Sequence, residues 1–230
     1  MLSDHLPIPA KNILRPYWRA LNQFVGWMKL QPRIGFVKIK RLFFAAPLPA
    51  AAQGKLYLHL GCGGVNHEKF INIDGYPFPH VHYVQSIARL PQFKDGSVDL
   101  IYASHCLEHF GYVQTKSVLE EWFRVLKNGA VLRLSVPDFD KLVEMYRICD
   151  RDPDVILPQL MGGQNNKFNF HYTALNKVNL GRLLTEVGFT EIREWVPGTN
   201  ELMTFNDFSI YKKEVAGKRY EVSLNIEAIK

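Results

Sequence analysis

The stretch Leu56–Asp74, LYLHLGCGGVNHEKFINID, constrains this chain more than any other. Leu56, Leu58 and Leu60 alternate with Tyr57 and His59, and the run is too short for a helix, so it reads as a strand. Gly61, Cys62, Gly63 and Gly64 follow. Residues with little or no side chain permit positive φ and let the backbone approach a ligand. Ile71 and Ile73 mark a second short strand, with Asp74 at its carboxyl end. A carboxylate there can accept two hydrogen bonds from a vicinal diol. In open α/β sheets, ligands bind outside the carboxyl ends of the strands.

Two cofactor classes use such a layout. A dinucleotide site wants G-x-G-x-x-G and an acid about twenty positions on. Here Asn66 takes the third glycine position, and Asp74 follows Gly63 by 11 residues. Any helix between them is expected to be one or two turns at most. LHLGCGG instead resembles the first motif of class I S-adenosylmethionine-dependent methyltransferases. The short loop from Gly64 to Asp74 resembles the trimmed version in the methyltransferase type 11 family. A glycine turn without a ligand is the bland reading of this stretch taken alone.

Further motifs follow in family order. Ser86-Ile87-Ala88-Arg89-Leu90-Pro91 is similar to the family segment in which an acid leads into LPF. In that family the acid meets the adenine amino group and the next amide meets a ring nitrogen. Ser86 stands in the acid's place, and a hydroxyl accepts more weakly than a carboxylate. Val98–Ala103 reads as a buried strand leading into Ser104-His105-Cys106-Leu107-Glu108-His109, which resembles the family's vlEH signature. RVLKNGAVLRLSVP resembles the family's fifth strand, with Ala130 where glycine is usual. The resemblance covers Leu56 to Tyr146 and thins after it.

The resemblance implies a Rossmann-like α/β fold. Seven strands form a mostly parallel sheet with an antiparallel last strand, helices lie on both faces, and an N-terminal helical extension precedes them. It also implies S-adenosylmethionine as cofactor, bound by Gly61, Cys62, Gly63, Asp74, Gly75, Ser86, Ile87, Ala88, Ser104 and His105. An acceptor hydroxyl benefits from a base, and histidine suits that task near neutral pH. The candidates are His105, His171 and His109. His105, Glu108 and His109 also spell H-x-x-E-H, a zinc peptidase pattern. That pattern needs both histidines on one helix, whereas His105 directly follows a strand. A divalent ion at these three residues ranks below the bland reading, in which Glu108 and His109 cap and pack the next helix. No metal is expected.

The remaining elements are expected as follows. The third strand is Val81–Val84. A helix spans Thr115–Leu126, capped by Thr115, with Val118, Leu119, Trp122 and Phe123 on its apolar face. Another runs from Asp138 to Tyr146. Residues 151–175 form a substrate lid carrying His171. A last helix, Asn176–Val187, ends at Gly188. Thr190–Val196 and Tyr220–Ile229 are the sixth and seventh strands.

Charge divides the chain. Residues 1–50 hold eight basic residues and one acid, a net +7, while the whole chain of 230 residues is +6. We expect a basic extension over 1–50 and a methyltransferase domain over 51–230. Pro16 can open a helix whose Trp18, Leu21, Val25 and Met28 share one face, with Pro32 ending it. This helix packs on the domain, builds a homodimer, or lies on an anionic membrane. No nucleic-acid module accompanies the basic cluster. Three scattered cysteines suit a reducing compartment. With neither a leader pattern nor a long apolar run, the expected location is cytoplasmic, with peripheral attachment at the inner face of the membrane as the alternative. Family analogy favours O-methylation of a sugar hydroxyl in bacterial surface polysaccharide or glycolipid biosynthesis. The alternatives are an amine, lipid or quinone-like acceptor, or a non-catalytic cofactor-binding scaffold.

Overall fold

The computed structural model describes residues 54–199, 202 and 205–230, preceded by eight separate positions between 21 and 40. Its frame is a sheet of seven strands in the order β3-β2-β1-β4-β5-β9-β6. These are β1 (Tyr57–Leu60), β2 (Ile71–Asp74), β3 (Tyr83–Val84), β4 (Val98–Ser104), β5 (Leu126–Pro137), β6 (Thr190–Glu194) and β9 (Ser223–Ile229). β1 pairs in parallel with β2 and β4, and β4 with β5. β9 runs antiparallel to both β5 and β6. The expected mostly parallel sheet with an antiparallel last strand is therefore present.

β1 is buried along its whole length. Alternation along it sends Leu58 and Leu60 to one face and Tyr57 and His59 to the other. The first pair joins a core with Val118, Leu119 and Trp122 of α1 (Thr115–Val125) and Leu180 and Leu184 of α4 (Lys177–Val187). The second face carries an aromatic layer of Tyr57, Phe70, Tyr102, Trp195 and Phe205. The Phe205 ring stacks on Tyr102 at 3.8 Å between centroids. Burial on both faces is what a central parallel strand requires.

Several boundaries differ from expectation. No helix forms between Gly64 and Asp74; turns fill the span, because so few residues must return the chain from β1 to β2. Thr115 does not cap α1. Gln114 stands at the cap, and the Thr115 hydroxyl donates back to the Gly111 carbonyl at 3.2 Å. The expected third strand shortens to two residues. Tyr220 leaves the seventh strand for a separate hairpin, β7 (Lys212–Val215) with β8 (Lys218–Glu221). That hairpin packs Val215 against Leu142 and Met145 of α2 (Phe139–Ile148). Asp138 caps α2 by accepting from Asp140 N–H at 3.1 Å. α4 opens with a capping box at Asn176 and closes on Gly188 at φ 113°, as its sequence implies.

Whether the N-terminal helix ends at Pro32, as expected, rests on residues 29–31, which lie outside the described ones. Pro32, Gly35, Phe36, Ile39 and Lys40 all have helical backbone, as do Leu21, Val25 and Met28. Trp18 and the segment 45–53 lie outside the described residues. Among those described, no helix is long and apolar enough to cross a membrane.

His59 makes stability depend on pH. Burial strips its imidazolium of water and lowers its pKa to about 3, despite the nearby Asp207. The unfolded chain takes up this proton near the ordinary value of about 6.5, so between these values the unfolded state binds more protons. Stability is therefore complete above pH ~6.5 and falls by about 1.4 kcal/mol per unit below it for this one group. Urea unfolding at pH ~7.5 and ~5.5 should show this loss, and His59→Leu should flatten it. Equal slopes in both proteins would contradict the assignment.

Candidate functional site at the carboxyl edge of the sheet

The glycine turn is held from two sides. Gly61 N–H donates to the Ile73 carbonyl at 2.8 Å, tying the turn to β2. Gly61 has φ 63°, and a Cβ there would lie 2.6 Å from Cys106 Cβ. Both the backbone angle and the approach of the loop after β4 demand glycine. Gly63 and Gly64 differ: nothing stands within 4 Å of where their Cβ would be. They leave an open cradle beside Asp74.

Asp74 is fixed by backbone. One carboxylate oxygen accepts from Gly63 N–H at 2.8 Å and the other from Tyr76 N–H at 2.6 Å. Each oxygen keeps a further lone pair for a ligand. Burial raises its pKa, against the pull of those amides and of His80 and His109. His80 Nε2 lies 3.0 Å from the Gly63 carbonyl and so holds the turn's other polar group. Neither Tyr76 nor His80 is marked by any motif in the sequence. Cys62 and Cys106 are buried, and loss of water drives both thiols upward in pKa. They pack rather than react. The Phe168 ring from the lid segment lies against Gly75, 3.0 Å from its Cβ position, and meets the Tyr76 ring edge-on at 5.1 Å.

The Ser86 segment also reaches the turn. Ile87 is buried, and its Cδ1 lies 3.6 Å from the Gly61 Cβ position. Ser86 is exposed and its Oγ accepts from Ala88 N–H at 3.2 Å, so the hydroxyl shapes its own turn. At the end of β4 the Ser104 hydroxyl is buried without a hydrogen-bond partner.

The HCLEH segment does not build a helix terminus. Leu107–His109 is a single 3-10 turn, five residues short of α1. Glu108 is 1% exposed. His105 sits at φ 50°, a left-handed conformation that costs a non-glycine residue energy. Its Nε2 lies 2.8 Å from Ser223 Oγ and its Nδ1 3.4 Å from Glu108 Oε1. The Ser223 hydroxyl itself donates to the Phe208 carbonyl at 2.8 Å. Both ring nitrogens of His105 thus face partners. So do those of His109, 3.0 Å from the Phe170 carbonyl and 3.1 Å from that of His105.

His171 arrives from the far side of the segment 151–175. That segment comprises a short turn (Pro153–Val155), α3 (Leu157–Met161) and a loop through Thr173. The loop is closed by Gln164 N–H to the Asn169 carbonyl at 2.8 Å and His171 N–H to the Met161 carbonyl at 3.1 Å. Gly162 has φ 77°, and a Cβ there would meet Asn169 O at 2.6 Å. Tyr172 N–H donates to the Glu108 carbonyl at 2.9 Å, joining this segment to the loop after β4. His171 Nδ1 lies 2.9 Å from the Gln159 carbonyl, and Nε2 lies 3.8 Å from Glu108 Oε1. Burial lowers the His171 pKa, outweighing the attraction of Glu108. For Glu108, burial pushes upward, but the surrounding histidines, led by His105, hold it below its ordinary value. The two shifts pull apart on one contact. Burial favours the neutral form of His171, and His105 Nδ1 is the imidazole nitrogen nearer to Glu108 Oε1.

The candidates therefore fall into two adjoining groups. Gly61, Cys62, Gly63, Asp74, Gly75 and Ile87 surround the turn, and His105, His109 and His171 surround Glu108. A cleft of about 330 Å³ opens elsewhere, among Lys55, Tyr57, Asp99, Lys127 and Arg133 at the amino ends of the strands. It touches none of these residues.

The sequence profile of a family described as a methyltransferase domain, type 11, matches residues 67–134. No curated protein matches the chain in sequence. Among solved structures, a SAM-dependent methyltransferase from Archaeoglobus fulgidus is 17% identical, with 90% of this chain and 99% of that one covered and a TM-score of 0.47. Burkholderia thailandensis 1,6-didemethyltoxoflavin-N1-methyltransferase is 14% identical, with coverage of 98% and 92% and a TM-score of 0.47. The matched segment contains Asp74, the Ser86 turn and HCLEH, in the strand order just described, and an open glycine cradle and an orphaned Ser104 hydroxyl adjoin them. The match covers residues 67–134 of the 230, and it marks that segment as similar to a methyltransferase domain.

Proposed function

We propose that this enzyme O-methylates a sugar hydroxyl, with 51–230 as the catalytic domain and 151–175 as the lid over its acceptor site. When bound, S-adenosylmethionine supplies an electrophilic methyl group on a sulfonium. In this reading Asp74 takes the ribose hydroxyls, and Gly61–Gly64 give the methionine end room to lie against backbone. Ser86, Ile87 and Ala88 line the adenine side, and Ser104 and His105 close the site beneath the acceptor.

One observation carries the preference for a hydroxyl. His171 directs Nε2 at a buried carboxylate 3.8 Å away without closing a hydrogen bond, and burial disfavours its charged form. A neutral amine already owns its attacking lone pair, whereas a hydroxyl gains from a base as the new bond forms. His171 Nε2 takes the hydroxyl proton, and Glu108 stabilises the imidazolium. His105 and His109, each with both nitrogens engaged, position that pair. Exposed rings lie by these histidines: Phe208 lies 5.4 Å from the His105 ring and 5.8 Å from that of Tyr211, and Tyr172 follows His171 in the chain. They offer apolar faces to the C–H side of a pyranose.

The basic extension gives the enzyme a place to work. Leu21, Val25, Met28, Phe36 and Ile39 are helical, exposed and spaced along one face. With the +7 charge of residues 1–50, they suit an anionic membrane surface presenting a lipid-linked glycan.

Four outcomes are expected. Asp74→Ala weakens S-adenosylhomocysteine binding by roughly 1–3 kcal/mol in a calorimetric titration, and unchanged affinity would remove Asp74 from the cofactor site. Assayed against pyranosides, primary amines and hydroquinones, the wild-type enzyme releases S-adenosylhomocysteine with a pyranoside and leaves a methyl ether detectable by mass. Turnover with amines alone would contradict the hydroxyl reading. His171→Ala lowers kcat roughly 10²- to 10⁴-fold with cofactor affinity kept, while His105→Ala lowers it less. The chain co-sediments with anionic vesicles in low salt, and deletion of residues 1–50 abolishes this. Vesicle binding that survives deletion, or a dimer that deletion splits, would contradict membrane attachment.

A further inference from the structure

The Glu108 cluster has an electrostatic problem that hydrogen bonds do not solve. Both carboxylate oxygens are buried, and neither has a hydrogen-bond partner. A buried carboxylate without donors is costly. Its neighbours make matters worse. A carbonyl can only accept, so the His171 hydrogen belongs on Nδ1, opposite the Gln159 carbonyl. Nε2 then directs a lone pair at Glu108 Oε1 from 3.8 Å. His109 is frustrated in the same way: its two nitrogens face two carbonyl oxygens, and a neutral imidazole has one hydrogen for them. Three side chains thus bring more lone pairs into one small region than there are protons to share.

We propose that Glu108, His109 and His171 hold a divalent transition-metal ion of the zinc type. One ligand atom from each lies within 4.8 Å of the other two, so small ring movements bring all three to bonding distance. Two imidazoles and a carboxylate are a zinc ligand set that leaves a coordination position open. The nitrogen majority argues against magnesium and calcium, which take oxygen ligands. The outer contacts are those of metal-binding histidines, which usually donate their second N–H to a carbonyl or carboxylate. His171 does so to Gln159, and His109 keeps the Phe170 carbonyl for the same purpose. His105 Nδ1, 3.4 Å from Oε1, orients the carboxylate. The ion would tie the loop after β4 to the lid, across the edge where the acceptor is proposed to enter. Sequence reading ranks an ion at His105, Glu108 and His109 below simple packing, and it does not bring in His171, which lies far along the chain. Ion binding itself does not rest on the acceptor reading; only its bearing on the reaction does. With the ion bound, His171 Nε2 is a ligand, and the base role belongs to the ion-free enzyme.

The test uses the full chain after dialysis against a chelator, titrated with Zn²⁺ in competition with a chromophoric chelator and separately with Co²⁺. One equivalent should bind, with visible Co²⁺ bands of a nitrogen and oxygen site and no thiolate charge-transfer band. His171→Ala and Glu108→Gln should each weaken binding roughly a hundredfold or more, since even an outer partner is worth 10- to 100-fold. Cys149→Ala, changing the least buried thiol, should leave it unchanged. Circular dichroism confirms folding; should Glu108→Gln unfold, His171→Ala on the lid decides. The proposal is overturned by wild-type protein that binds S-adenosylhomocysteine but no stoichiometric ion. It is equally overturned by ion binding that survives His171→Ala or is lost in Cys149→Ala. Ion binding without S-adenosylhomocysteine binding would instead overturn the methyltransferase reading alone.

Discussion

The central strands are buried on both faces, and this leaves polar chemistry only the strand ends. Leu58 and Leu60 face a helical layer, and Tyr57 and His59 an aromatic one. Any charged ligand must therefore meet the molecule where β1, β2 and β4 stop. Gly61 sets how closely those ends approach. Its positive φ and its contact with Cys106 bring the turn after β1 against the loop after β4. The Asp74 carboxylate, held by Gly63 and Tyr76 amides, and the Glu108 cluster adjoin as a result. The link is electrostatic too, since His109 acts on the Asp74 charge.

Two anions at this edge are treated differently. Asp74 receives a backbone N–H on each oxygen and keeps capacity for a ligand. Glu108 is buried and depends on histidines that do not bond to it directly. Burying a charge with incomplete compensation costs stability, and such sites tend to be functional. The strained backbone at His105 belongs to the same economy, because it turns one residue toward both Ser223 and Glu108. Residues 151–175 complete the cluster through His171 and Tyr172 and cover the turn through Phe168.

The fold was legible because its signals are local. Period-two alternation, the glycine turn, Asn176 and Gly188 each act within a few residues, and each element appeared within a few positions of its expected place. The missing helix after the glycine turn and the capping by Gln114 rather than Thr115 are boundary effects, where chain length and tertiary contact override preference. The hairpin β7–β8 was not legible, since its burial depends on α2, many residues earlier. Within the site, Asp74 and the glycines stood out by spacing. His80, Phe168 and Ser223 did not, because each acts on a group 17 to 118 residues away, or across a loop closed by backbone hydrogen bonds. The roles of His105 and His109 also needed coordinates, which show that each of their ring nitrogens faces another polar group.

Hydrogen–deuterium exchange with and without S-adenosylhomocysteine tests the location of the cofactor most directly. The account predicts slowed exchange in residues 61–64, 74–76 and 86–88, extending to 104–109 and to the lid around Phe168. Protection confined to the cleft at Lys55, Asp99 and Lys127, with the glycine turn unchanged, would contradict it.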